Sequence, residues 1–195
     1  ICYDVNGIQI VFGVTEENEL KLFHFSRAPF DAENLCRKPD NWWPMEGMRE
    51  AQIKESFQLV QVNFSGYNRP YEKHGNKYIV TAPGFMLKFD SISEERDENG
   101  DVLRIVQKDG VTGAKVESVM QFYDGLSIAR VYNTVTNEGN EDQTLEYISS
   151  FSYWGIEKEQ KEGIPEFISS DDKMSMVVVH NGWQKELTVK KYRFA

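Results

Sequence analysis

Tyr67, Asn68, Arg69, Tyr71, Glu72, His74, Asn76 and Tyr78 crowd into one run, Ser65 to Tyr78, which continues as Ile79-Val80-Thr81-Ala82-Pro83-Gly84. Phenol, amide, guanidinium and imidazole groups donate and accept hydrogen bonds in fixed directions, the equipment needed to grip polyols and sugars. A second concentration is Trp42-Trp43-Pro44, with Arg49 shortly after it. An exposed indole stacks on the apolar C–H face of a sugar ring while neighbouring polar groups bond its hydroxyls. The same two tryptophans could instead anchor a loop on the fold or bury in a subunit contact, where tryptophan is enriched. Arg49 has two readings as well: a bond to a sugar hydroxyl, or an ion pair with Glu46 or Glu50.

Other chemistries lack their residues. No closely spaced glycines precede a helix to cradle phosphate, and no Gly-x-Ser-x-Gly elbow presents a nucleophile. His24, His74 and His180 are isolated from one another, and Cys2 and Cys36 show no metal-ligand spacing, so no metal or cofactor is expected. Glycoside hydrolysis needs two carboxylates flanking one bond. With 31 Asp and Glu in the chain, a pair proves nothing. The crowd Asp90, Glu94, Glu95, Asp97, Glu98 and Asp101 reads as a solvated hairpin tip.

The 195 residues fit one domain with a buried core, and 40% hydrophobic and 13% aromatic residues exclude a disordered chain. A net charge of -9 with dispersed Lys and Arg excludes a nucleic-acid partner. No apolar run approaches the roughly 18 residues of a spanning helix, so no membrane partner is expected. No signal peptide is read at the start, although Ile1 is not an initiator methionine. The two cysteines are expected as free thiols in a reducing cytoplasm. The sequon Asn63-Phe64-Ser65 lies in a strand-like run.

The elements that must position these groups are almost all strands. Ile8 to Val14 and Glu19 to Phe25 flank a Thr15-Glu16-Glu17-Asn18 turn. Phe57 to Ser65 and Phe85 to Ile92 follow, the latter with Phe85, Leu87 and Phe89 on one face. Asp97-Glu98-Asn99-Gly100 turns the chain into Val102 to Gln107. Lys115 to Asp124, Leu126 to Asn137 and Thr144 to Trp154 are long strands, and Met174 to Val179 and Leu187 to Tyr192 close the sequence. In Leu126 to Asn137, Leu126, Ile128 and Tyr132 face one way and Ala129, Val131 and Val135 the other, so both faces are expected to be partly buried. Short helices are expected over Asp31 to Arg37 and Arg49 to Lys54. Repeated strands with regular turns predict an all-β antiparallel sandwich.

Gly66-Tyr67-Asn68-Arg69-Pro70-Tyr71-Glu72-Lys73-His74-Gly75-Asn76-Lys77-Tyr78, Gln121-Phe122-Tyr123-Asp124-Gly125, Leu145-Glu146-Tyr147-Ile148-Ser149-Ser150-Phe151 and His180-Asn181-Gly182-Trp183-Gln184-Lys185-Glu186-Leu187 come in a telling order. They resemble successive landmarks of the N-terminal domain of family 36 glycoside hydrolases, the bacterial α-galactosidases. Glu46-Gly47-Met48-Arg49-Glu50 looks like a degraded form of the family's Gly-Asp-x-Arg-Glu loop, departing at Gly47 and Met48.

The resemblance implies a β-supersandwich of the galactose mutarotase type, one N-terminal domain over 1–195, with Ala195 ending inside the sandwich. In the family this domain precedes a TIM barrel that holds both catalytic aspartates of a retaining enzyme. Such a barrel occupies about 250 residues of alternating strand and helix, and that pattern is absent from this sequence. The chain alone is therefore expected to be inactive and to serve the barrel, the subunit contacts of a homo-oligomer and the galactoside pocket. The family analogy, in which a loop reaches a neighbouring subunit's pocket, points to Trp42, Trp43 and Arg49 as substrate-binding positions.

Two other readings remain open. One is a free-standing carbohydrate-binding module, resting on the aromatics. The other is an aldose-1-epimerase-like enzyme using His74 or His180 with Glu72, Glu146 or Glu186 as general acid and base.

Overall fold

The computed structural model describes residues 1–30, 32, 57–67, 84 and 86–153, together with the backbone of 175–182 and 185–193. The chain divides into two compact units, Ile1–Trp154 and Gly155–Ala195. Every described element of either unit is a strand, joined to its neighbours in antiparallel fashion.

The first unit opens with β1 (Cys2–Val5), β2 (Ile8–Val14) and β3 (Leu20–Ser26), in that order across the sheet. Asn6 and Gly7 both take left-handed backbone, with φ of 52° and 76°. That pair of angles makes the tight hairpin turn whose twist matches the flanking strands. β1 is absent from the sequence expectations because it is short, yet Asn6-Gly7 was its signal. In β2, Ile8, Ile10 and Phe12 are buried and alternate with more open positions, as a one-sided strand requires.

The pairing of β2 with β3 slips between Val11↔His24 and Phe12↔Leu22, which leaves Phe23 as an extra residue. The Phe23 ring occupies the space a Cβ on Gly13 would need, and it meets the Phe57 ring edge-on at 5.6 Å. Phe57 itself has φ of 63°, so the strand expected from Phe57 cannot begin there in regular form. Its carbonyl still accepts the Leu22 N–H at 2.7 Å.

The next pair is β4 (Val62–Phe64) with β9 (Leu145–Ile148). Both are shorter than expected, but the ladder runs further. Ser65 N–H donates to Thr144 O, Ser149 N–H to Gln61 O and Ser152 N–H to Leu59 O, at 2.9–3.0 Å.

The second sheet has β5 (Lys88–Arg96), β6 (Asp101–Lys108), β7 (Ala114–Tyr123) and β8 (Leu126–Asn137) side by side in chain order. β5 starts later than expected because Gly84 and Met86 have helical backbone. Asp90 is its extra residue, between Phe89↔Gln107 and Ser91↔Val106. The bulge brings both Phe89 and Ile92 to the inner face, which strict alternation would forbid.

Ile10, Phe12, Leu20 and Leu22 from the first sheet pack with Leu103, Ile105, Met120 and Phe122 from the four-stranded sheet. Val60, Val62 and Phe64 pack with Leu87, Ala114 and Val116 in a second cluster. Two antiparallel layers thus share their apolar faces, the all-β sandwich arrangement expected. Each such side chain, fully buried, contributes about 1.5–3 kcal/mol relative to exposure.

β8 corrects one expectation. Ala129, Val131 and Val135 pack on the core, but Leu126 is 51%, Ile128 54% and Tyr132 41% exposed. The reason is that Leu126, Ile128 and Tyr132 lie on the outer face of the four-stranded sheet, against which no described layer packs. Over the rest of that face, Arg104 reaches Glu95 at 2.9 Å and Glu117 at 3.2 Å. Val119 and Val102, the register partners of Arg104 and Glu95, are buried although they point outward.

The second unit contains an antiparallel hairpin of β10 (Ser175–Gly182) and β11 (Lys185–Arg193), close to the two final strands expected. Among the described residues, no helix is long and apolar enough to cross a membrane. The short helices expected over Asp31 to Arg37 and Arg49 to Lys54 fall outside the described residues.

Candidate functional site

The last residues of β3 meet the segment after β9 in a cluster of aromatic rings. Phe25 meets Phe151 edge-on at 5.4 Å and Tyr153 at 6.4 Å, while Phe151 and Tyr153 stack at 6.2 Å. The Phe25 N–H donates to the Tyr153 hydroxyl at 3.3 Å, which orients that ring. These three rings are half-buried against the core and half open.

On the opposite face of β3, where His24 pairs with Val11 while Phe25 pairs with Ile10, the His24 ring lies 5.5 Å from the Phe30 ring, and its Nε2 is 2.7 Å from the Ala28 carbonyl. A carbonyl can only accept, so Nε2 carries the proton and, in the neutral ring, Nδ1 is left as an acceptor. Ala28 N–H donates to Ser26 Oγ, and Phe30 N–H donates to Gln9 Oε1 at 2.6 Å, which turns the chain back over β2. The candidate site is thus the aromatic ledge of Phe25, Phe151 and Tyr153, whose polar group is the Tyr153 hydroxyl. It can stack an apolar ring face and offer one polar group.

Trp42, Trp43 and Arg49 lie outside the described residues, as do Glu72 and His74 and nearly all of the run from Asn68 onward. His180 and Glu186 are described as backbone in β10 and β11 only. Glu146 is the one nominated acid whose side chain is described. Its Oε2 accepts from Asn63 Nδ2 at 2.8 Å and its Oε1 from the Ser65 hydroxyl at 2.7 Å. Both oxygens are thus engaged in bracing β9 against β4. The same contact buries Asn63 to 5% exposure and ties up the amide that N-glycosylation would modify. No group of three or more metal-ligating side chains occurs among the described residues.

Asp97, Glu98 and Asp101 lie at the tip of the β5–β6 hairpin, as expected, with Glu94 and Glu95 on β5 next to it, whereas Asp90 sits at the β5 bulge toward the other end of the ladder, beside Lys108. Arg96 bonds Asp101 at 2.7 Å and also Asp124, and both contacts raise the guanidinium pKa. The Asp97 carboxylate accepts from the Asn99 and Gly100 N–H groups and from Gln121 Nε2. The Asn99 N–H foremost holds it below the usual aspartate range. A carboxyl whose pKa is depressed by folding stabilises the fold above its unfolded pKa, and the contribution disappears as pH falls through the folded value. Asp97→Asn is therefore expected to flatten the loss of stability between about pH 4 and more acid conditions, measured by urea unfolding at stepped pH. An unchanged acid limb would show that this turn carries no linked proton.

Burial foremost, then the charge of Glu94, raises the Tyr3 hydroxyl pKa. The hydrogen bond to Glu95 leads the upward shift at Arg104. The described part of the aromatic ledge offers ring faces and one hydroxyl. Sequence reading missed Phe25, Phe151 and Tyr153 as a group because they come from segments far apart in the chain. The only local hint was the closely spaced pair Phe151 and Tyr153. Compared with protein-family models, with curated proteins and with solved structures, the chain finds no match in any of the three.

Proposed function

We propose that this chain is the non-catalytic N-terminal sandwich domain of a retaining α-galactosidase, an enzyme that releases terminal α-D-galactosyl residues from oligosaccharides. The observation that carries the reading is the order of the four sequence landmarks from Gly66 to Leu187, and an all-β antiparallel architecture is compatible with it. In this role the sandwich supports a barrel and builds subunit contacts. Trp42, Trp43 and Arg49 reach toward a galactoside pocket. The apolar outer face of β8, with Leu126 and Ile128 more than half exposed, supports a role in homo-oligomer contacts. The exposed free thiol of Cys2 fits a reducing, cytoplasmic setting.

The test is an α-galactosidase assay with an aryl α-galactoside on the 195-residue chain and on the product of the complete reading frame. The chain alone is expected to be inactive and the full product active, with Arg49→Ala in the full product raising KM about tenfold, or roughly 1.4 kcal/mol of binding. A full product without α-galactosidase activity overturns the reading.

A sugar-binding module is the second reading, and the aromatic ledge of Phe25, Phe151 and Tyr153 is what favours it. Calorimetric titration of the chain with galactose, melibiose and raffinose separates the two readings. Heat of binding to the isolated chain supports the module, and its absence at millimolar sugar removes it.

A further inference from the structure

The two apolar clusters of the sandwich do not merge, and the residues between them are polar. On β7, Ser118 separates Met120 of one cluster from Val116 of the other. On β8, Asn133 separates Val131 from Val135, directly opposite Ser118. On β6, Gln107 follows Ile105 on the same face, one step diagonal to Ser118. From the facing layer come Gln58 and Gln61, which flank Leu59 of the first cluster and Val60 of the second. Gln58, Gln61, Gln107 and Ser118 are 6%, 2%, 4% and 1% exposed.

Their hydrogen bonds fix which way the amides point. Gln58 Nε2 donates to the Gly84 carbonyl at 3.3 Å, so Gln58 Oε1 must be the atom that accepts from Gln61 Nε2 at 2.5 Å. That leaves Gln61 Oε1 as the free end of the relay. Asn133 Nδ2 donates to the carbonyls of Ser149 and Ser150, at 2.5 and 3.0 Å, so Asn133 Oδ1 is likewise the free end. Gln61 N–H donates to Ser149 Oγ, so Gln61 and Asn133, which face each other across the layers, are both tied to Ser149. Gln61 Oε1, Asn133 Oδ1, Gln107 Oε1 and Ser118 Oγ are buried and have no hydrogen-bond partner. Three of the four can only accept.

We propose that this seam is a binding site for internal water, on the order of one or two molecules bridging the amide oxygens and the Ser118 hydroxyl. A ligand here must donate hydrogen bonds, be small and be neutral. In a dry core, three amide oxygens and one hydroxyl would each bear the penalty of an unmade hydrogen bond, together a large share of a domain's whole stability. No flip of Asn133 or Gln61 removes the deficit, because a flipped amide loses the bonds it now makes to carbonyl oxygens. Water supplies two donors and takes the hydroxyl hydrogen of Ser118 in return.

Two measurements on the 195-residue chain test the site. A high-resolution crystal structure is expected to show ordered water within hydrogen-bond distance of Gln61 Oε1 and Asn133 Oδ1. Thermal unfolding of Ser118→Ala, which adds no volume, is expected to show a midpoint lowered by about 3 °C as the water loses one partner. A raised midpoint, the result when an unsatisfied hydroxyl is simply deleted, overturns the proposal, and so does an empty seam in the density. The midpoint is also expected to be the same in sodium, potassium and ammonium chloride of equal ionic strength. A midpoint that depends on the cation would assign the oxygens to a monovalent ion instead of water.

Discussion

Glu19→Ala is expected to lower the unfolding free energy by about 3 kcal/mol, read as a lower urea midpoint at unchanged slope. Glu19 is 6% exposed at the start of β3, and its two carboxylate oxygens bind different ammonium groups. Oε2 is 3.2 Å from Lys21 Nζ and Oε1 is 3.2 Å from Lys88 Nζ. The two lysines are not equivalent. The Lys21 side chain is 3% exposed and the Lys88 side chain 41%. Losing the carboxylate leaves water to replace it at Lys88, whereas at Lys21 a buried cation loses one carboxylate contact that solvent does not reach to replace. Lys88→Met is therefore expected to cost under about 1 kcal/mol, as an exposed pair does. Equal effects of Glu19→Ala and Lys88→Met would show that burial at Lys21 has no energetic consequence.

The second large effect is at Gly113. Asp109 organises the β6–β7 turn by accepting the Val111 and Thr112 N–H groups and the Thr112 hydroxyl, while its own N–H donates to Ala114 O. Within that turn Gly113 takes φ of 74° and its carbonyl accepts Glu138 N–H at 2.8 Å. The loop after β8 thus sits directly on the turn. A Cβ on Gly113 would fall inside contact distance of the Gly139 backbone, which has no flexible end to move aside. Gly113→Ala combines left-handed strain with this overlap, and a loss of about 3 kcal/mol is expected. Gly125 supplies the control: its φ is 73° but nothing lies within 4 Å of an added Cβ. Gly125→Ala should cost only the backbone term, about 1 kcal/mol. Similar losses at both positions would mean that strain alone governs, and that the packing of the turn on Gly139 is soft.

Strand identity was legible because its signals are local. Ile8, Ile10 and Phe12 alternate within one segment, and Leu126 to Asn137 matches β8 at both ends. The turn residues Thr15 to Asn18 and Asp97 to Gly100 were also legible, since short polar side chains and left-handed angles act within a few residues. Of the candidate site, Trp42, Trp43 and Arg49 were nominated by residue type and resemblance. The ledge of Phe25, Phe151 and Tyr153 was not nominated, because its members meet only when the segment after β9 folds across β3.

The sequence by itself determined that this protein is built of antiparallel strands with an acidic hairpin turn at Asp97 to Asp101, because alternation and turn chemistry are properties of neighbouring residues. The tertiary structure alone decided which face of each strand meets the core. Extra residues at Phe23 and Asp90 reverse the alternation in mid-strand, and an extra residue is defined only by the partner it fails to pair with. The lack of a described layer on the outer face of the four-stranded sheet leaves Leu126, Ile128 and Tyr132 outside, while packing between the layers puts Gln61, Gln107 and Ser118 inside. Burial is a property of two surfaces brought together, and no segment carries it alone.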